Sequence, residues 1–208
     1  MKVVLYGASG MIGSRILQEL VGRGHQVTAV VRHPEKIAAS GVNVVKGDVT
    51  DPVSVAATAQ GAEAAISAYA PPPTEVGTLL TAARALLAGL ATAGVRRLLV
   101  VGGAGSLEVA PGVQLVDTPG FPEAWKGIAL AHRDVLPVLD ASNLDWSYLS
   151  PAAFIQPGER TGKFRLGGKQ LVVDETGESR ISAEDYAVAL VDELESAKHV
   201  RQQFTLAY

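Results

Sequence analysis

Cysteine is absent from the 208 residues. That excludes disulfides and thiolate-bound metals, and it fits a reducing cytosol. Aromatic residues are scarce at 5% while hydrophobic residues reach 48%, so Ala, Val and Leu must carry the core. There is no surplus of positive charge: 18 Lys and Arg against 21 Asp and Glu leave a formal net charge of −3, no field for nucleic acid. Long uninterrupted apolar runs are missing too. The least polar stretch, Val76 to Val95, contains Arg84 with several Gly and Thr residues, and reads as a buried or amphipathic helix rather than a membrane span. Met1 to Gly7 is too short and too glycine-broken for a signal peptide, so the expectation is a cytoplasmic protein. His25, His33, His132 and His199 lack metal-ligand spacing, and neither a nucleophile elbow nor a Walker loop occurs.

What stands out is a glycine run near the start, Gly7-Ala8-Ser9-Gly10-Met11-Ile12-Gly13, directly after the apolar Val3-Val4-Leu5-Tyr6. A pyrophosphate needs backbone N–H donors at close range, which side chains would block; a helix N-terminus supplies those donors with partial positive charge. The context supports this: Ile12, Ile16, Leu17, Leu20 and Val21 recur at helical spacing, and Gly22-Arg23-Gly24 ends that helix.

Strand and helix signals then alternate. Gln26–Val31 and Val42–Val45 read as strands two and three. Asp51-Pro52 starts a helix as N-cap and first residue. Ala62–Tyr69 is strand four, a helix spans about Val76 to Ala93, Arg97–Val101 is strand five and Leu144–Leu149 strand six. A helix from about Pro122 to Asp140 contains Pro137, which should kink or split it. Beyond Pro151, Lys163–Leu166 and Gln170–Val173 flank Gly167-Gly168 like a hairpin. Ser182-x-x-Asp185 looks like a capping box for a last helix, and Phe204–Ala207 like a final strand. Repeated βα units imply an α/β, Rossmann-type doubly wound parallel sheet of order 3-2-1-4-5-6. The expectation is one domain over 1–208, with 151–208 as a small substrate-side lobe of hairpin and helix.

The residue ending strand two meets the adenosine ribose in such sheets: an acid there selects NAD, an Arg suits the 2′-phosphate of NADP. Arg32 stands at that position, followed by His33, which could assist or simply be exposed. Asp48 and Val49 follow strand three; the carboxylate either accepts from adenine or serves turn chemistry.

Together these residues resemble an atypical short-chain dehydrogenase/reductase of the small NAD(P)H-binding branch, similar to bacterial proteins described as NADH-flavin reductases and, more distantly, to the biliverdin reductase B-like and NmrA-like proteins. The likeness covers essentially the whole chain. Its more specific part is Leu144-Asp145-Trp146-Ser147-Tyr148-Leu149-Ser150-Pro151-Ala152, then Pro157-Gly158-Glu159-Arg160-Thr161-Gly162, then Ile181-Ser182 to Asp185-Tyr186-Ala187. The resemblance implies that Gly7, Ser9, Gly10, Met11, Ile12 and Gly13 cradle the pyrophosphate and that Arg32, Asp48 and Val49 hold the adenosine half. It also implies Ala68 and Tyr69 beside the ribose, Gly102 and Gly103 near the nicotinamide, and Pro151, Ala152, Ala153 and Phe154 over its far face.

The Tyr-x-x-x-Lys pair of most short-chain dehydrogenases is missing, since no tyrosine has Lys four residues on. Strand five ends in Gly102-Gly103 instead of Ser or Thr, leaving room for a flat ring, with Ser106 displaced. Reduction of a flavin, or of a quinone-like acceptor, needs only that both rings be bound and stacked, with protons from water. His132 is the remaining catalytic candidate, against the alternative of a helix-surface histidine. Trp125 and Trp146 read as core or lid, and Glu159 and Arg160 as a loop pair. The expected function is NADPH-dependent reduction, NADP(H) preferred over NAD(H) and flavin a substrate. The alternative is a non-catalytic NADP(H) sensor acting on a protein partner.

Overall fold

The computed structural model describes residues 1–37 and 41–208. One eight-stranded sheet forms its centre. The strands are β1 (Lys2–Tyr6), β2 (Gln26–Val31), β3 (Asn43–Lys46), β4 (Ala64–Ser67), β5 (Arg97–Val101), β8 (Asp145–Ser150), β10 (Arg165–Gly167) and β12 (Gln202–Ala207). Their order is β10-β12-β8-β5-β4-β1-β2-β3, parallel throughout except for β10 on β12. The expected order of the first six strands is therefore present, with two further strands added at one edge. Short strands β6 (Glu108–Ala110) and β7 (Val113–Gln114) pair with each other, as do β9 (Phe154–Gln156) and β11 (Arg180–Ser182).

Helices cover both faces, which is why the strands are continuously apolar. Helices α1 (Met11–Gly22) and α5 (Ala183–Ser196) pack Ile16, Leu20, Tyr186 and Leu190 on Val3 and Leu5. On the other face α2 (Pro52–Thr58), α3 (Thr78–Ala93) and α4 (Glu123–Asp140) pack Val55, Leu86, Leu90 and Leu139 on Val4 and Tyr6. Asp51 accepts the Val53 N–H at the start of α2, and Ser182 accepts the Asp185 N–H at the start of α5. Trp146 lies in the core; Trp125 is exposed.

Three local expectations are corrected. Pro137 does not split α4, which runs through to Asp140: the proline is exposed, and Val135 and Leu139 on either side of it are buried, holding both turns to the sheet. Gly167-Gly168 does not turn a hairpin, because β10 instead pairs antiparallel with β12, joining the C-terminal segment to the main sheet. Arg160 does not pair with its neighbour Glu159. It crosses to α1 and forms a two-pronged bond to Glu19 at 2.8 Å on each arm. A buried carboxylate needs such partners, and Arg23 supplies a third bond at 2.8 Å.

The strand register brings the carboxyl ends of β1, β2 and β4 level: Tyr6 lies opposite Val30 on one side and Ser67 on the other. Strand order reverses between β2 and β4, on either side of β1. Doubly wound sheets open a crevice at such a point.

Candidate cofactor site at the carboxyl ends of the strands

A cavity of about 370 Å³ occupies that crevice. Gly7, Ser9 and Gly10 line it, whereas Met11, Ile12 and Gly13, in the first turn of α1, do not, and the three glycines of the run have different surroundings. Gly7 has φ +81°, and a Cβ there would lie 2.4 Å from the Ala68 carbonyl oxygen. A Cβ at Gly13 would lie 2.1 Å from the Gly7 carbonyl oxygen, so its absence lets α1 sit against the end of β1. Gly10 is less confined: nothing is nearer than 3.4 Å, and it lines the cavity. It is also the N-cap of α1, with no side-chain cap and no acidic residue in the first turn. The first N–H groups of α1, including those of Met11, Ile12 and Gly13, are thus unclaimed by a side-chain cap, as an anion site requires.

Arg32 and His33 line the far side, at the end of β2. Arg32 is exposed, and the His33 Nδ1 is 3.1 Å from the Glu35 carboxylate. Asp48 lines the same wall. Its Oδ1 accepts from the Thr50 N–H at 2.9 Å and the Thr50 hydroxyl at 2.7 Å. These bonds, with a smaller contribution from the Arg32 charge, hold the carboxyl below the usual range. The turn chemistry and the cavity position are therefore both realised at Asp48. Val49, Ala68 and Tyr69 complete the wall, and the Tyr69 hydroxyl is fixed 2.9 Å from that of Thr78.

Eight lining residues escaped the sequence reading: Tyr6, Val30, Val31, Gly47, Thr50, Ala70, Glu75 and Thr78. Tyr6, Val30, Val31 and Gly47 carried a signal, since they adjoin the glycine run, Arg32 and Asp48 in the sequence. Glu75 and Thr78 reach the cavity because α3 packs on α2 and folds the Pro71-Pro72-Pro73 segment back, a tertiary event.

The other half of the expected site is arranged differently from expectation. Gly102 and Gly103 do end β5, but the space beside them is not open. A Cβ at Gly102 would lie 2.3 Å from the Tyr148 ring, and one at Gly103 2.9 Å from the His132 ring. The glycines make room for those two side chains. His132 does not line the cavity and is only partly exposed: its Nδ1 is 3.1 Å from the Tyr148 hydroxyl, and burial lowers its pKa to about 4. Ser106 is buried and accepts from the Gln203 amide at 2.8 Å. Pro151 and Ala152 are buried where β8 ends, whereas Ala153 and Phe154 are exposed. Tyr6 is pushed up to about 12 by burial, and burial raises Tyr148 and Tyr186 as well, so these three phenols stay protonated near neutral pH.

Among the described residues no helix is long and apolar enough to cross a membrane. Comparison with known proteins agrees with the geometry. The chain is 40% identical to the uncharacterised protein YwnB of Bacillus subtilis, over 99% of this chain and 98% of that one. The structure of a candidate exported protein from Burkholderia pseudomallei superposes with a TM-score of 0.93 at 53% identity, covering 100% of both chains. That of a candidate NADH-flavin reductase from Streptococcus pneumoniae gives 0.91 at 36% identity, covering 100% of this chain and 99% of that one. The sequence model of the NAD(P)H-binding family matches residues 7–197, and with these relatives it establishes that the chain belongs to the NAD(P)H-binding family.

Proposed function

We propose that the protein is an NADPH-dependent oxidoreductase that reduces a flavin or a similarly flat, quinone-like acceptor without a Tyr–Lys pair. The observation that carries this reading is the switch-point cavity, with the uncapped N-terminus of α1 at one end and Arg32 at the other. A bound nicotinamide supplies the hydride. We assign the α1 N–H groups to the pyrophosphate, with Gly7, Ser9 and Gly10 giving close approach. The Arg32 guanidinium is assigned to the 2′-phosphate, which it can grip with two parallel bonds. Asp48 and Val49 face the adenine, and Ala68 and Tyr69 the ribose. Gly102, Gly103 and the turn from Pro151 to Phe154 border the nicotinamide side. No side chain is asked to deliver a proton, since water can do so once two flat rings are stacked. The resemblance to NADH-flavin reductases supports the acceptor class, and the lack of cysteine supports the cytoplasm as the place of action.

A second reading, a non-catalytic NADP(H) sensor with a protein partner, is favoured by the way His132 and Tyr148 are spent on each other. Steady-state oxidation of NADPH with FMN, riboflavin and quinones separates the two. Turnover with one of these acceptors is the expected result. NADPH binding without turnover, together with unequal affinities for NADPH and NADP⁺, would favour the sensor.

A further inference from the structure

The exit of β5 holds a three-way polar knot that the cofactor reading does not use. The Gly103 N–H donates to the Tyr148 hydroxyl at 3.2 Å, and that hydroxyl donates to the His132 carbonyl oxygen at 3.0 Å. The His132 Nδ1 lies 3.1 Å from the same hydroxyl oxygen. Tyr148 is fully buried, so its hydroxyl cannot turn to water instead. A phenol has one proton and two acceptor sites. With the proton on the His132 carbonyl and the Gly103 N–H on one lone pair, the second lone pair is filled only if Nδ1 carries a hydrogen. The ring is neutral near pH 7, so it has one hydrogen to place, and putting it on Nδ1 strips Nε2. Among the described residues Nε2 has no hydrogen-bond partner, and His132 is only partly buried.

We infer that Tyr148 is a positioning residue: its hydroxyl holds His132 as the Nδ1–H tautomer and leaves Nε2 a bare hydrogen-bond acceptor at the exit of β5. Such an acceptor takes a hydroxyl or amide N–H, the donors that a nicotinamide riboside carries; this part rests on the cofactor reading above. It also turns the chemistry of the site around. His132 receives a hydrogen bond and does not give a proton, which suits an acceptor whose protons come from water. The same hydroxyl ties the backbone of Gly103 to α4, so the loop beyond β5 and the imidazole are set by one atom.

The test begins with the wild-type protein free of cofactor, by long-range ¹H–¹⁵N spectra of the imidazole rings at pH 7, His132 being identified by its loss in His132→Asn. A ring protonated on Nδ1 is expected; one protonated on Nε2 overturns the inference. In Tyr148→Phe the ring should lose that preference, and the Gly103 amide should exchange with deuterium about tenfold faster. An unchanged tautomer and exchange rate would also overturn it. His132→Asn keeps a donor near Tyr148 and deletes Nε2, and should weaken NADPH binding about fivefold. Tyr148→Phe should weaken it similarly, and the double variant no further, because the two act as one unit; additive losses would show that they do not. Should Tyr148→Phe fail to fold, the wild-type spectrum and His132→Asn still decide. If the wild type binds no NADPH, the cofactor reading fails, while the tautomer is read without cofactor and stands or falls alone.

Discussion

The glycine run makes two demands, and alanine substitution should separate them. At Gly13 an added Cβ would stand 2.1 Å from the Gly7 carbonyl oxygen, 2.9 Å from the Gly7 carbonyl carbon and 3.2 Å from the Ala8 Cα, all backbone atoms. Ordinary contact begins near 3.4 Å, so α1 must retreat from β1 by more than an ångström, and nothing flexible is there to yield. Overpacking costs about 1–3 kcal/mol, and a clash with backbone belongs at the top of that range. In a chain of this size about 3 kcal/mol corresponds to a fall in Tm of roughly 6–12 °C. Gly10 has φ −76° and ψ 171°, and an added Cβ would meet nothing closer than 3.4 Å. Replacing Gly by Ala at an N-cap costs about 0.5–1 kcal/mol, a few degrees at most. The methyl would nevertheless stand where a pyrophosphate must approach the N–H groups of α1, so NADPH affinity should fall at least about tenfold. Thermal melts followed by circular dichroism, with fluorescence titration of NADPH, measure both. Gly13→Ala melting with the wild type, or Gly10→Ala binding NADPH as the wild type does, would refute the division of labour.

Arg32→Ala should weaken NADPH by roughly 5–30-fold, a charge-assisted phosphate contact reduced by the exposure of Arg32, and leave NADH within about twofold by calorimetry; equal losses for the two cofactors would sink its role. Stability should depend on pH through Glu19, whose pKa falls from 4.5 to about 2 mainly because Arg160 bonds it. A carboxyl lowered in the folded state stabilises above its unfolded pKa and loses that contribution as pH falls from about 4.5 toward 2, here about 2–3 kcal/mol after allowing for the exposed Arg160. Urea melts of Glu19→Gln should therefore show a flatter pH profile over that window. Asp185 is fully buried and accepts from the Thr161 N–H at 2.8 Å, the Gly162 N–H at 2.7 Å, the Thr161 hydroxyl at 2.6 Å and the Tyr208 hydroxyl at 2.9 Å. Asp185→Ala should cost about 3 kcal/mol or more and remove exchange protection at Thr161 and Gly162; retained protection there would mean that other contacts hold the loop.

Local physics made much of this molecule legible from its residues. Lys2 to Tyr6 and Arg97 to Val101 are apolar on every residue but the first because both sheet faces are covered, a property of the strand itself. Asp51 and Ser182 announce helix starts because a short side-chain oxygen reaches an N–H two or three residues on. Gly7, Gly10 and Arg32 fall where the cavity forms because the turn after β1 and the end of β2 are constrained by the βα unit that contains them. Such signals span a few residues or one crossover, and they were sufficient for the parallel sheet, its first six strands and part of the lining of the crevice.

Contacts between distant segments were decided only by the folded chain. Gly167-Gly168 has the composition of a hairpin turn, but β12 offered β10 an unpaired edge about forty residues later, and backbone pairing there outweighed the local turn. Glu19 and Arg160 meet across 141 positions because a buried carboxylate takes the cation that packing delivers. Gly102 and Gly103 look like open space in a sequence, where a missing side chain shows and the neighbour that fills the gap does not. Tyr148 and His132 fill it because α4 and β8 both lie against β5, and that packing exists only in three dimensions.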